Sequence, residues 1–260
     1  MATTLRNISS SLEYRLWQIM AQKDWLLHYT SLRLQPAGSD APTNTFTTAT
    51  TTTTAATAAR TVPHPWCFFD QRGVNADRSR LRVYADGGLI NPSTYAVCHL
   101  NHWITFHDAP PPGVLTADLD VFAAKVTDSY PEGEVLEQAG LPLIAHAIEG
   151  LDGAAFAVGT TMVDWNCHVT LDLLFQDRGT RADLTYDLAR HLAAMPLLDM
   201  SKAAFLTPEG DANLEFNFQR QNRGYLRVSP RHCRFLAPRR GGSSKERYRA
   251  LITFDLKNVE

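Results

Sequence analysis

Cysteine is scarce in this chain: Cys67, Cys98, Cys167 and Cys233 are its four thiols, too widely spaced for a disulfide scaffold. No apolar run approaches the ~18 residues that cross a bilayer, so no membrane span is expected. The first turns carry Arg6, Glu13 and Arg15 where a secretory signal would hold an unbroken apolar stretch. These absences imply a reducing, intracellular setting, cytoplasmic by default, with an organelle or a virion left open.

The signatures of familiar chemistry are missing too. There is no G-x-x-x-x-G-K-[ST] loop, no G-x-G-x-x-G opening a helix, no H-E-x-x-H and no G-x-S-x-G. No cofactor is implied. Three Cys–His neighbours occur, Cys98-His99, Cys167-His168 and His232-Cys233, each on a predicted strand. Alternation of faces lets each pair offer one member to a shared site, and the local spacing that marks zinc is lacking, so no metal is expected.

Acid is almost absent from one stretch. Between Gln219 and Arg249, Arg220, Arg223, Arg227, Arg231, Arg234, Arg239, Arg240, Lys245, Arg247 and Arg249 face a single acid, Glu246. The first 218 residues hold 14 basic and 24 acidic side chains; the last 42 hold 11 and 3. A net charge of −2 therefore conceals an acidic body and a basic end. Such a split points to an anionic partner or an acidic protein surface. Arginine grips phosphate with a planar fork, and Tyr225, Phe235 and Tyr248 supply stacking surfaces among the guanidiniums. The alternative is pairing with the chain's own acids, for which Asp118, Asp120, Glu132, Glu134 and Glu137 are available.

What is present gives the outline of the fold. Leu12, Leu16, Ile19 or Met20, and Leu27 recur at helical spacing after Ser9–Ser11, predicting an amphipathic helix from about Leu12 to Thr30. Trp17 and Trp25 lie beside its apolar face and are candidate partner contacts. Residues 36–63 turn abruptly to Thr and Ala, a linker or arm that would run extended if ordered. The domains expected are thus 1–35 (helix), 36–63 (arm) and 64–260 (globular domain with basic segment 219–249).

In that domain Leu81–Tyr84 and Tyr95–Phe106 read as strands. Thr116–Ser129 and Glu134–Ala139 read as helices. Ala154–Val163 and Cys167–Phe175 read as a hairpin turning at Asp164–Asn166. Thr180 caps a helix over Arg181–Ala194. Leu214–Phe218, Tyr225–Val228, Cys233–Leu236 and Tyr248–Leu256 close the chain as strands. Short connections and many strands predict an α+β fold, mostly antiparallel sheet or a sandwich with two or three helices.

Two function classes remain. The charge split, the arm and the lack of a catalytic motif favour a non-enzymatic structural subunit of a larger assembly. It would be a ribonucleoprotein component or a viral coat type, contacting protein subunits and RNA. The alternative is a hydrolase or phosphoesterase. His168-Val169-Thr170-Leu171 matches the H-x-T-h pattern of two-histidine phosphoesterases, with His102 or His107 as the second imidazole. His102-Trp103-Ile104-Thr105 carries one residue too many to repeat that pattern.

Overall fold

The computed structural model describes residues 5–39, 41–48, 64–128, 141–155, 163–201, 203–239 and 247–258. The chain is α+β and mostly sheet. By contact it divides into two compact units, each assembled from separate segments. Met1–Ile19, Ala124–Lys202 and Gln219–Glu260 form one; Met20–Ala123 and Ala203–Phe218 form the other. The division corresponds to two sheets, whereas the sequence partition at 35/36 and 63/64 was drawn on composition.

Helix α1 (Leu5–Gln22) buries Ile8, Leu12, Leu16 and Ile19 completely or nearly so. It begins earlier and ends earlier than its periodicity predicted. Asp24 adopts a positive φ of 58°, and the Trp25 N–H returns to Met20 O at 2.9 Å, turning the chain into strand β1 (Leu26–Pro36). Residues 26–30, read as helix, are therefore strand.

The unit containing β1 is a seven-stranded antiparallel sheet. Its members are β2 (Thr45–Thr48), β3 (Leu81–Ala85), β4 (Gly88–Leu89), β5 (Tyr95–Cys98), β6 (Trp103–Phe106) and β7 (Leu115–Phe122), in the order β4-β3-β7-β1-β2-β6-β5. The opening of the Thr/Ala stretch is thus strand β2, paired with β1 and β6; residues 49–63 lie outside the described residues. The helix predicted over Thr116–Ser129 is instead strand, β7, through Phe122. Leu115, Ala117, Leu119 and Val121 are buried, while Thr116, Asp118 and Asp120 alternate with them, half-buried. That period of two is a strand's. These two acids accept hydrogen bonds on the sheet's polar face: Asp120 from Arg80 at 2.9 Å, Asp118 from the Tyr84 hydroxyl at 3.0 Å.

The single strand predicted over Tyr95–Phe106 is a hairpin, β5 against β6. His102 sits in the turn with φ 60°, a left-handed conformation that ends the alternation. Its ring meets His64 O at 2.8 Å and packs on Trp66. Leu214–Phe218, predicted as strand, is turn, with the Phe216 N–H on Asn213 O at 2.9 Å.

The other unit is a six-stranded sheet, β11-β12-β13-β10-β9-β8. Its strands are β8 (Lys125–Thr127), β9 (Leu143–Ala155), β10 (Val163–Phe175), β11 (Ala194–Leu198), β12 (Asn222–Arg239) and β13 (Arg247–Asn258). All pairs are antiparallel except β8 with β9. Asp164–Asn166, predicted as a turn, belongs to β10 and pairs with residues 152–154. The two short strands expected at 225–228 and 233–236 are one strand. A bulge between Ser229 and His232 joins them, and Pro230, which has no N–H to give a ladder, lies within it. β11 flanks β12 only from Asn222 to Arg227, so among the described residues the rest of that margin has no strand beside it. The helix predicted at Glu134–Ala139 lies outside the described residues.

Helix α2 (Arg178–His191) covers the apolar face of this sheet with Leu184 and Leu188. The sequence placed its cap at Thr180. The cap is Asp177, whose carboxylate accepts the Thr180 N–H at 2.7 Å. That backbone hydrogen bond also holds the Asp177 pKa below the usual carboxylate range. Asp177→Ala is expected to cost about 1 kcal/mol, read as a lower urea midpoint at unchanged slope. A single-turn helix, α3 (Phe218–Gln221), leads into β12.

Candidate functional site

Alternation along β10 and β13 sorts the six-stranded sheet into two faces. Cys167, Val169, Leu171 and Leu173 of β10, with Ala250, Ile252, Phe254 and Leu256 of β13, are buried on the face toward α2. The residues between them form the opposite, polar face, an ordinary arrangement for an antiparallel sheet with one wet side. Register fixes its rows. Asn166 stands opposite Lys257 and Arg227; His168 opposite Asp255; Thr170 opposite Thr253 and His232; Asp172 opposite Leu251 and Arg234.

At the middle of this face is a cavity of about 250 Å3, lined by Glu149, His168, Thr170, His232, Thr253 and Asp255. The His168 Nδ1–H donates to Asp255 Oδ1 at 2.6 Å, which fixes the ring's orientation and leaves the lone pair of the neutral imidazole on Nε2. Glu149 reaches the rim because β9 carries one extra residue opposite the step from His168 to Val169.

The basic segment divides in two. Arg223 and Arg249 are spent inside the fold. Arg223 bonds Asp199 at 2.9 Å, and Arg249 grips Asp172 through Nε at 2.7 and 3.0 Å and through Nη2. Arg227, Arg231 and Arg234 are exposed on β12 and have no ion pair among the described residues. Arg220 is exposed on α3. The side chains of Arg239 and Arg247 are not described, and Arg240 and Lys245 lie outside the described residues. Tyr225, half exposed at 51%, shares the polar face with Arg227. Phe235 and Tyr248 instead stack on Arg181, 4.8 and 5.3 Å from its guanidinium. Of the acids expected to neutralise the segment, Asp118 and Asp120 are bonded within the seven-stranded unit, and Glu132, Glu134 and Glu137 lie outside the described residues.

Asp199 and Arg223 make a pH-sensitive joint. The Ser201 hydroxyl first, and then Arg223, push the Asp199 carboxyl down to about 2. A depressed folded value means that the contribution is complete above the unfolded carboxylate range near 3.9 and is lost as pH falls toward 2. Acid unfolding of the six-stranded unit, followed by amide exchange, is expected to begin at a higher pH in Asp199→Asn.

His102 and His107, the imidazoles paired with His168 by the sequence, belong to the seven-stranded unit, so the cavity contains neither; its second imidazole is His232. Trp17 is 2% exposed, with its Nε1–H toward Glu13, and Trp25 is half-buried. Burial pushes the Cys167 thiol up to about 11 and Cys67 up to about 12, far from thiolate chemistry at neutral pH. Among the described residues no group of three or more His, Cys, Asp or Glu is placed to hold a metal ion. Nor is any helix among them long and apolar enough to cross a membrane. Asp255, Thr253 and Glu149 escaped sequence reading because nothing in the pattern announces which strands are neighbours. No model of a known protein family matches the chain, and no curated protein does.

Proposed function

We propose that this protein is a structural subunit of a larger assembly, and that strand β12 is its contact with RNA or another acidic partner. One observation carries the reading: Arg227, Arg231 and Arg234 stand exposed along one strand without an ion pair among the described residues, beside the exposed ring of Tyr225. Among the described residues no acid consumes these guanidiniums in the way that Asp199 and Asp172 consume Arg223 and Arg249. A guanidinium that keeps its fork open can grip phosphate in two-point fashion, and a neighbouring tyrosine offers a face to a base.

The experiment is size-exclusion chromatography with light scattering on protein purified without nuclease, recording the 260/280 nm ratio at low and high salt. A large particle, or a high ratio that falls as salt rises, is the expected result. A nucleic-acid-free monomer with no affinity for added RNA would overturn the proposal.

A further inference from the structure

Beyond a binding role, we infer that the cavity at His168 is an acid–base site that cleaves phosphodiesters. His168 is held through Nδ1 by Asp255, which orients it as the base. His232 lines the same cavity from β12, across β13 and one row along. Strand spacing puts their Cα atoms roughly 12 Å apart, a separation that two imidazoles leaning inward over one phosphate can span. Thr170 follows His168 on β10 and faces Thr253, which stands beside His232 on the intervening strand; both hydroxyls line the cavity as donors for the non-bridging oxygens. Arg234 comes after His232 on the same face, one row beyond the lining and opposite Leu251, while Glu149 lines the cavity from β9.

In the step this arrangement supports, water attacks phosphorus and gives its proton to His168 Nε2. The bond from phosphorus to the leaving oxygen breaks, its electron pair stays on that oxygen, and His232 supplies the proton. One diester and one water become one phosphate monoester and one alcohol, and proton exchange with solvent resets both rings. Asp255 is a positioning residue, since it acts through His168. The choice of a phosphodiester over a carboxylic ester rests on reading β12 as a polyanion contact. Small diesters test the cavity without that reading.

Two probes separate the roles in the full chain. Bis(4-nitrophenyl) phosphate has a leaving group that needs no acid; the dinucleotide thymidylyl-thymidine has a poor one that does. His168→Ala is expected to lose at least 100-fold on both. His232→Ala should lose at least 100-fold on the dinucleotide and less than 5-fold on the nitrophenyl ester. Asp255→Asn should lower kcat about 10-fold on both at unchanged KM. Each variant is compared with wild type by circular dichroism, and His168→Gln replaces any His168→Ala that does not fold. A wild-type rate no greater than that of the His168 variant on both probes overturns the inference, as does equal loss on both probes in His232→Ala. RNA retention by a variant with Arg227, Arg231 and Arg234 all replaced by Glu is a separate measurement, so either reading can fail alone.

Discussion

Replacing Arg227, Arg231 and Arg234 together with Glu is expected to abolish retention of RNA while leaving the fold intact. The three side chains are exposed, and the sheet is assembled by other residues. Each guanidinium that neutralises a phosphate on a single strand contributes about 0.7 to the slope of log affinity against log salt. Losing three should flatten that slope by about 2. Reversal of charge adds repulsion to lost attraction, so affinity near 0.1 M salt should fall by two orders of magnitude or more. Fluorescence anisotropy with a labelled oligonucleotide at several salt concentrations reads both quantities. Unchanged slope and affinity would remove β12 from the contact. Arg223 and Arg249 make poor partners for this experiment, because replacing either leaves Asp199 or Asp172 without its ion-pair partner and confounds binding with stability.

The second large effect lies in the seven-stranded unit, and it concerns stability. Asp211 joins the 203–218 segment to the sheet. It accepts from Arg78 through Nε at 3.3 Å and through Nη2, and from the backbone N–H groups of Ala212 at 2.7 Å and Val97 at 3.4 Å. His99 Nδ1 lies 3.2 Å from it, with the ring fully buried. Burial alone would raise the Asp211 pKa, yet His99 and Arg78 together hold it below the ordinary carboxylate value. Burial drives His99 the other way from a free imidazole, toward the neutral form. Asp211→Ala removes the acceptor and leaves a guanidinium, 24% exposed, without its carboxylate beside a fully buried imidazole. Breaking one side of such a pair costs about 3–5 kcal/mol. Urea unfolding followed by tryptophan fluorescence should show this as a large fall in the midpoint for this unit. A loss under about 1 kcal/mol would mean that the pair behaves as a solvated surface bridge.

How much of this was readable in advance differs from element to element. Helix α2 was legible because Leu184 and Leu188 repeat at four residues behind a capping run, a purely local signal. The strands near Leu81 and Tyr248 were legible for the same reason. Strand β7 was not, because its alternation is masked by small and acidic side chains that also suit a helix's first turn. The Tyr95–Phe106 hairpin was missed because His102 takes its turn conformation without glycine or proline to announce it. The candidate site was half visible. His168 and Thr170 are two apart on one strand, a spacing that local sequence conveys. Asp255, Thr253 and His232 join them through the register of β13 and β12, which no local pattern states. The ten basic residues were visible as a group, but their division into Arg–Asp ties and exposed arginines depends on which carboxylates the fold brings near.

The margin of β12 that no described strand covers bears on which strands can be added to this sheet. A strand edge with unspent N–H and C=O groups invites other edges, including that of an identical molecule. Here the bulge at Ser229–His232 bends the margin, and Arg231 and Arg234 crowd it with like charge. Two such edges repel one another, so self-templated stacking is disfavoured, while a strand rich in Asp or Glu meets no such barrier. On the proposed reading of β12 the guanidiniums would filter what joins the sheet: copies would be turned away and acidic segments let in.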